Sequence, residues 1–275
     1  FWKMHGLGND FLVIDMIEKK IDLRPQLIRA MANRKTGVGF DQLLTISAPT
    51  NPDSDFMYRV FNADGSEAEQ CGNGARCIHT FVRGKGLTSR KEIKLQTKTR
   101  VIKCSLNEDD NISVEIGVPS FTPEEIPFVP SKKEGDYYLI NIKDDQISLA
   151  IMPVSVGNPH AVVEVANLQN YPVAEIGKEI SGHKNFPNGA NVSFIELVSR
   201  KKLNLKVFER GVGETSACGT AACAAVASGI KLGKLDSEVI VDQPGGGLNI
   251  IWDSFEKPLI MSGPSIKVYE GIFTT

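Results

Sequence analysis

The chain has almost no net charge: 31 Lys and Arg stand against 33 Asp and Glu over 275 residues, a balance of −2. Those charges are scattered, so any basic or acidic face would have to be assembled by folding. Nucleic acid and anionic membrane are therefore not expected partners. No apolar run approaches the ~20 residues of a membrane-spanning helix. The longest uncharged stretch of small and apolar residues, Ala217 to Ile230, is broken by Cys, Gly, Thr and Ser. The first residues lack the basic-then-apolar pattern of a secretory segment. Cysteine is sparse, with five in all, and does not make a disulfide framework at this length. The expected setting is cytoplasmic, with reduced thiols. Cys-x2-Cys is also missing, which argues against a zinc knuckle and against thioredoxin-like exchange. No Lys-Ser/Thr follows Pro244-Gly245-Gly246-Gly247, so that run reads as a hairpin turn and not as a phosphate loop.

What is present is an ordinary globular composition, 41% hydrophobic and 23% charged, at a length that suits two domains or one large one. It also contains a repeat. Setting Cys71-Gly72-Asn73-Gly74-Ala75 over Cys218-Gly219-Thr220-Ala221-Ala222 aligns Phe61 with Phe208, Glu67 with Glu214 and Gly86 with Gly233. At a slightly larger offset Gly8-Asn9 falls on Gly157-Asn158 and Asp41 on Asn191. Ordered matches at half the chain length imply two related half-domains.

Short or alternating apolar runs predict strands at 11–15, 42–47, 56–61, 93–95, 112–116, 161–165, 192–197, 203–208, 238–241 and 248–252. Each half has one helix directly after its Cys-Gly. In the first, Ala75, Ile78 and Val82 recur at helical spacing before Gly84 and Gly86. In the second, Ala221 to Ala227 is apolar on every side and belongs inside a core. Pro119 to Pro130 is the linker candidate. The expected class is α+β, with two pseudo-symmetric halves facing a cleft.

Cys71 and Cys218 each precede a helix, where free N–H groups carry about half a unit of positive charge. Those groups suit a substrate carboxylate, and the same field is expected to lower a thiol's pKa towards neutrality. If a pseudo-twofold axis relates the halves, the two sulfurs face each other. A carbon acid held between them would lose a proton to one and gain one from the other, which inverts the carbon without an electron-sink cofactor. Isolated cysteines within helices or strands are ordinary core residues, and Cys77, Cys104 and Cys223 are read that way. His79 and His183 read as structural or surface residues.

The chain resembles the diaminopimelate epimerases, cofactor-independent amino-acid epimerases of lysine and cell-wall biosynthesis, nearly end to end. The resemblance is carried by Lys3-Met4-His5-Gly6-Leu7-Gly8-Asn9-Asp10-Phe11, Gly37-Val38-Gly39-Phe40-Asp41-Gln42, Phe61-Asn62-Ala63-Asp64-Gly65-Ser66, Cys71-Gly72-Asn73-Gly74-Ala75-Arg76-Cys77, Gly157-Asn158-Pro159-His160, Glu209-Arg210-Gly211, Gly213-Glu214-Thr215, Ala217-Cys218-Gly219-Thr220, Gly263-Pro264 and Tyr269.

The resemblance implies two halves, each a mostly antiparallel strand barrel around a central helix: 1–118, rejoined by 264–275, and 119–263. It implies that Cys71 and Cys218 are the acid/base pair, with His160 and Glu209 tuning the thiols. Asn9, Gln42, Asn62, Asn158, Asn191, Glu209 and Arg210 would bind substrate through side chains. Gly72, Asn73, Gly219 and Thr220 would cradle the reacting carboxylate through the backbone, and Tyr269 would lie in a homodimer interface. No metal or cofactor is implied. The substrate would be diaminopimelate, in its LL and meso forms. Its distal amino-acid group suits Arg210, which can fork a carboxylate, and Glu209, which can hold an ammonium.

Ala221 stands where the family usually has Gly, Thr97-Lys98-Thr99-Arg100 replaces a Gly-containing turn common there, and Val118 precedes Pro119 where an acidic or polar residue is frequent. None of these removes a catalytic group. Two other readings stay open at this point: a proline or hydroxyproline racemase of the same fold, and a thiol redox or binding protein.

Overall fold

A computed structural model describes residues 1–18, 21–68, 72–143 and 146–274. The chain divides into two compact units, Phe1–Glu115 with Ser262–Thr275, and Ile116–Met261.

The first unit runs β1 (Trp2–Gly6), β2 (Asn9–Asp15), α1 (Pro25–Ala32), β3 (Gln42–Ser47), β4 (Phe56–Asn62), β5 (Glu67–Ala68), α2 (Gly72–Gly84), β6 (Glu92–Gln96), β7 (Val101–Leu106) and β8 (Ile112–Gly117). Leu7 and Gly8 both have positive φ, 57° and 83°, and turn β1 tightly into β2. Most neighbours are antiparallel. Among the described residues the exceptions are β2 beside β3 and β4 beside β6, which are parallel because α1 and α2 carry the chain back between them.

The second unit repeats that order. It begins with β9 (Lys133–Glu134), β10 (Tyr137–Ile142), β11 (Ile147–Ser155), β12 (Pro159–Glu164), α3 (Val173–Ser181), β13 (Asn191–Ser199) and β14 (Lys202–Glu209). It continues through β15 (Gly213–Thr215), α4 (Gly219–Lys231), β16 (Glu238–Gln243), β17 (Gly246–Ile251) and β18 (Leu259–Gly263). Again two pairs are parallel, β12 with β13 across α3 and β14 with β16 across α4. A last strand, β19 (Ile266–Glu270), pairs with β1.

The two-halves reading is thus written in the strand order, with one correction of register. Phe11 stands beside Gln42 as His160 stands beside Asn191, so Gln42, and not Asp41, is the structural mate of Asn191. Among the described residues the strand pairings wrap each helix without closing into a ring.

Each sheet is buried on both faces. In the first unit Leu12, Leu43 and Phe61 pack under α1 with Ile28 and Met31. The alternate residues Phe11, Val13, Leu44 and Val60 are buried as well, on the face that holds α2. A Cβ on Gly74 would come within 2.4 Å of the Tyr58 hydroxyl and 3.2 Å of Leu44, which shows how closely α2 approaches that face. In the second unit α4 is buried on every side from Ala221 through Gly229, and its small residues let the strands close on it. Cys77, Cys104 and Cys223 are core residues, as read. Pro119 to Pro130 is no solvated linker: Ile126 and Phe128 join the second unit's core, with Phe128 packed on Phe186 and Tyr138. Gln243 pairs with Gly246 across the expected glycine hairpin.

Candidate active site

The second unit assembles most of its expected site residues around the start of α4. Cys218 is the residue that begins this helix, with extended backbone (φ −137°, ψ 116°). Its own N–H donates to Gln243 Oε1 at 2.8 Å, which ties the helix start to the end of β16. The sulfur lies 3.4 Å from Thr220 Oγ1.

The expected lowering of this thiol's pKa is reversed. Burial pushes Cys218 well above the ordinary thiol range, and the Glu209 carboxylate adds to the rise by charge and by accepting a hydrogen bond from the thiol. Thr220 and the Ala221 N–H pull the other way, and they are outweighed. The helix-terminus argument identified a real contribution, but burial is larger. Cys218 is therefore a thiol.

Around the sulfur, Thr215 Oγ1 donates to Glu209 Oε1 at 2.5 Å. His160 is fully buried at 0% exposure, and burial, aided by the charge of Arg210, holds its pKa at about 3, so the ring is neutral. Its Nε2 contacts Asn158 Oδ1 at 3.0 Å. Asn158 Nδ2 in turn reaches Thr220 Oγ1 at 3.4 Å. Asn191 accepts the Arg210 backbone N–H at 2.9 Å, which turns its own Nδ2 towards His160. Arg210 Nη1 donates to the Asn188 carbonyl at 2.7 Å. Gly189 sits against this side chain at φ +69°, where a Cβ would meet Arg210 Cδ at 2.9 Å.

In the first unit, Gly72 and Asn73 open α2. Cys71 lies outside the described residues. Asn73 is buried and its Nδ2 reaches Asn9 Oδ1 at 3.4 Å, so it contributes a side-chain contact in addition to the expected backbone one. Asn9 Nδ2 donates to Asp41 Oδ2 at 3.0 Å. Asp41 and Asp10 accept each other's backbone N–H, at 3.1 and 2.9 Å, and Arg34 and Lys3 close the cluster. Burial alone would raise the Asp10 carboxyl, but hydrogen bonds and charge from Arg34 and Lys3 prevail and hold it at about 2. Gln42 Nε2 donates to Asn62 Oδ1 at 3.0 Å, and Asn62 Nδ2 to Ser66 Oγ at 3.0 Å. Tyr269 is far from this cluster in role, exposed on β19 beside Phe1.

Sequence reasoning missed Thr215, Gln243, Asp41 and Ser66 as partners of the site residues. Thr215, Asp41 and Ser66 do lie in motifs that carry the resemblance, Gly213-Glu214-Thr215, Gly37-Val38-Gly39-Phe40-Asp41-Gln42 and Phe61-Asn62-Ala63-Asp64-Gly65-Ser66. Nothing local marks Gln243, which reaches Cys218 from the end of β16. No helix among the described residues is long and apolar enough to cross a membrane.

Two α+β units, each wrapping strands about a helix, define a fold class that solved structures share. A phenazine biosynthesis protein of the PhzF family from Bacillus anthracis superposes with a TM-score of 0.70 at 20% identity, over 98% of this chain and 96% of that one. A hydroxyproline epimerase from Agrobacterium vitis, with bound trans-4-OH-L-proline, also gives 0.70, at 13% identity over 98% and 90%. At those identities the likeness speaks for the fold alone. Sequence takes the assignment further. The diaminopimelate epimerase family pattern matches residues 1–122 and 152–268. A diaminopimelate epimerase from Teredinibacter turnerae is 49% identical over 271 residues, 98% of this chain and 97% of the relative. The chain belongs to the diaminopimelate epimerase family.

Proposed function

We propose that the protein interconverts LL- and meso-2,6-diaminopimelate without a cofactor, by proton transfer at Cα between the sulfurs of Cys71 and Cys218. The observation that carries this reading is Cys218 buried at the start of α4, in a chain that belongs to this family. A thiol with its proton held on sulfur suits the acid step, so Cys71 is assigned the base. In the LL-to-meso direction the Cys71 thiolate takes the Cα proton. The electron pair delocalises into the carboxylate, and the Cys218 thiol returns a proton to the opposite face. The mechanism requires the two sulfurs to reach one carbon from opposite sides.

The backbone N–H groups of Gly72, Asn73, Gly219 and Thr220 hold the reacting carboxylate and stabilise the enediolate-like charge. Arg210, Glu209, Asn9, Gln42, Asn62, Asn158 and Asn191 bind the rest of the substrate, and His160 and Glu209 tune the thiols. Arg210 beside Glu209 favours a substrate with a distal amino-acid group over a cyclic imino acid. The reaction belongs to lysine and cell-wall precursor synthesis in the cytoplasm. The protein works as a homodimer through the face that exposes Ile266, Val268 and Tyr269.

In deuterated buffer, LL-diaminopimelate should gain solvent deuterium at Cα without added pyridoxal phosphate, while proline should not. Cys71→Ala and Cys218→Ala should each abolish epimerisation. Near-normal turnover by either variant would sink the two-base scheme.

A further inference from the structure

The Asn9 amide has a direction that its partners settle. Its Nδ2 lies 3.0 Å from Asp41 Oδ2. That oxygen also accepts the Asp10 backbone N–H at 3.1 Å, while Asp41 Oδ1 accepts from Arg34 Nη2 at 2.8 Å. Both carboxylate oxygens are therefore acceptors, and only the nitrogen of an amide can face them. Turning Asn9 over would set two acceptors against each other. Its oxygen is thus held on the opposite side, 3.4 Å from Asn73 Nδ2 at the start of α2.

The carboxylate is itself held firmly, although its side chain is 45% exposed. The Asp41 N–H donates to the Asp10 carbonyl at 3.0 Å and to Asp10 Oδ1 at 2.9 Å. Arg34 forks Asp10 with Nη1 at 3.0 Å and Nη2 at 2.7 Å, and Lys3 pairs with the same carboxylate.

A simpler role for this cluster would be a clasp for the parallel strands β2 and β3. The second unit speaks against it. Phe11 beside Gln42 corresponds to His160 beside Asn191, so the mate of Asp41 is Ala190 and the mate of Asn9 is Asn158. Strands β12 and β13 pair in the same parallel register with a methyl group where Asp41 has its carboxylate. The fold does not require the acid there, whereas the direction of the Asn9 amide does.

We infer that Asp41 is a positioning residue for the reaction: its carboxylate fixes the amide of Asn9, nitrogen towards Asp41 and oxygen towards the start of α2. The part that Asn9 plays in holding substrate rests on the epimerase reading; the direction of its amide does not.

Asp41→Asn tests this direction, because the new side chain has one oxygen in place of two. Arg34, a charged donor, takes that oxygen and leaves an NH2 group against Asn9, which must turn over. The KM for LL-diaminopimelate should rise about tenfold with kcat nearly unchanged, the loss of one oriented hydrogen bond. Arg34→Met removes the competing donor. On that background the single oxygen serves Asn9, and Asp41→Asn should raise KM by less than about twofold. A second readout needs no turnover: the Asn9 side-chain NH2 protons, assigned through Asn9→Asp in 15N-labelled protein. The proton bound to the carboxylate lies downfield; it should move upfield in Asp41→Asn and return on the Arg34→Met background. Equal KM losses on both backgrounds, or an unmoved Asn9 signal in Asp41→Asn, would overturn the inference. Signals that move as expected in a protein that does not epimerise would sink only the functional reading.

Discussion

His160 is an imidazole sealed from water, with a pKa of about 3 against its ordinary 6.5. Its contribution to stability follows in sign. The unfolded chain binds a proton below pH 6.5 that the folded chain refuses, so the full contribution is present above 6.5 and erodes as pH falls towards 3. Urea unfolding should show a loss of about 1.4 kcal/mol per pH unit in that window. His160→Gln removes the titrating ring and should flatten that slope; an unchanged slope would contradict the burial account. The family resemblance put Glu209 and His160 among the groups near the thiols, and Glu209 does bear on Cys218. The sequence misjudged the Cys218 proton because burial is a tertiary quantity, created by strands from the whole second half.

Helix α3 shows how one element depends on a missing side chain. Gly177 faces Phe208 on β14, and a Cβ there would lie 2.5 Å from Phe208 Cβ and 2.7 Å from its ring. Gly177→Ala should destabilise the protein by about 1–3 kcal/mol through overpacking, read as a lower denaturation midpoint; a neutral or stabilising result would show that the helix slides freely. Strands were well marked in the sequence where a short apolar run stands between polar ends, as in β3, where the expected 42–47 coincides with Gln42–Ser47. The long β11 was hidden because Pro153 demotes a run to non-strand, yet it pairs there with Ala161. Helix α3 was hidden because its buried positions Val173, Ile176 and Ile180 include a glycine between them. The proline spacing of 119–130 mimics a linker, while Phe128 supplies the apolar anchor that makes it core.

For the molecule as a whole, the duplication was the most legible feature, since small residues at Cys-Gly turns cannot drift without losing the helix starts they form. The one-residue slip in aligning Asp41 arose because the two offsets differ across a loop, and register is settled by strand pairing. Oligomeric state is argued at this scale from β19, where Ile266, Val268 and Tyr269 are all exposed. Sedimentation equilibrium should give twice the 30.0 kDa chain mass, and Tyr269→Glu should shift it towards the single chain. A wild-type monomer at micromolar concentration would end the dimer reading.

The first unit is built from two separated stretches of chain, Phe1–Glu115 and Ser262–Thr275, whereas the second is continuous. Synthesis on a ribosome runs in one direction, so the unit begun first is the one finished last. Its β1 edge waits for β19 while every residue of the other unit emerges and folds. A nascent chain stalled before Ser262 would thus carry one mature unit and one open strand edge, a natural target for a holding chaperone.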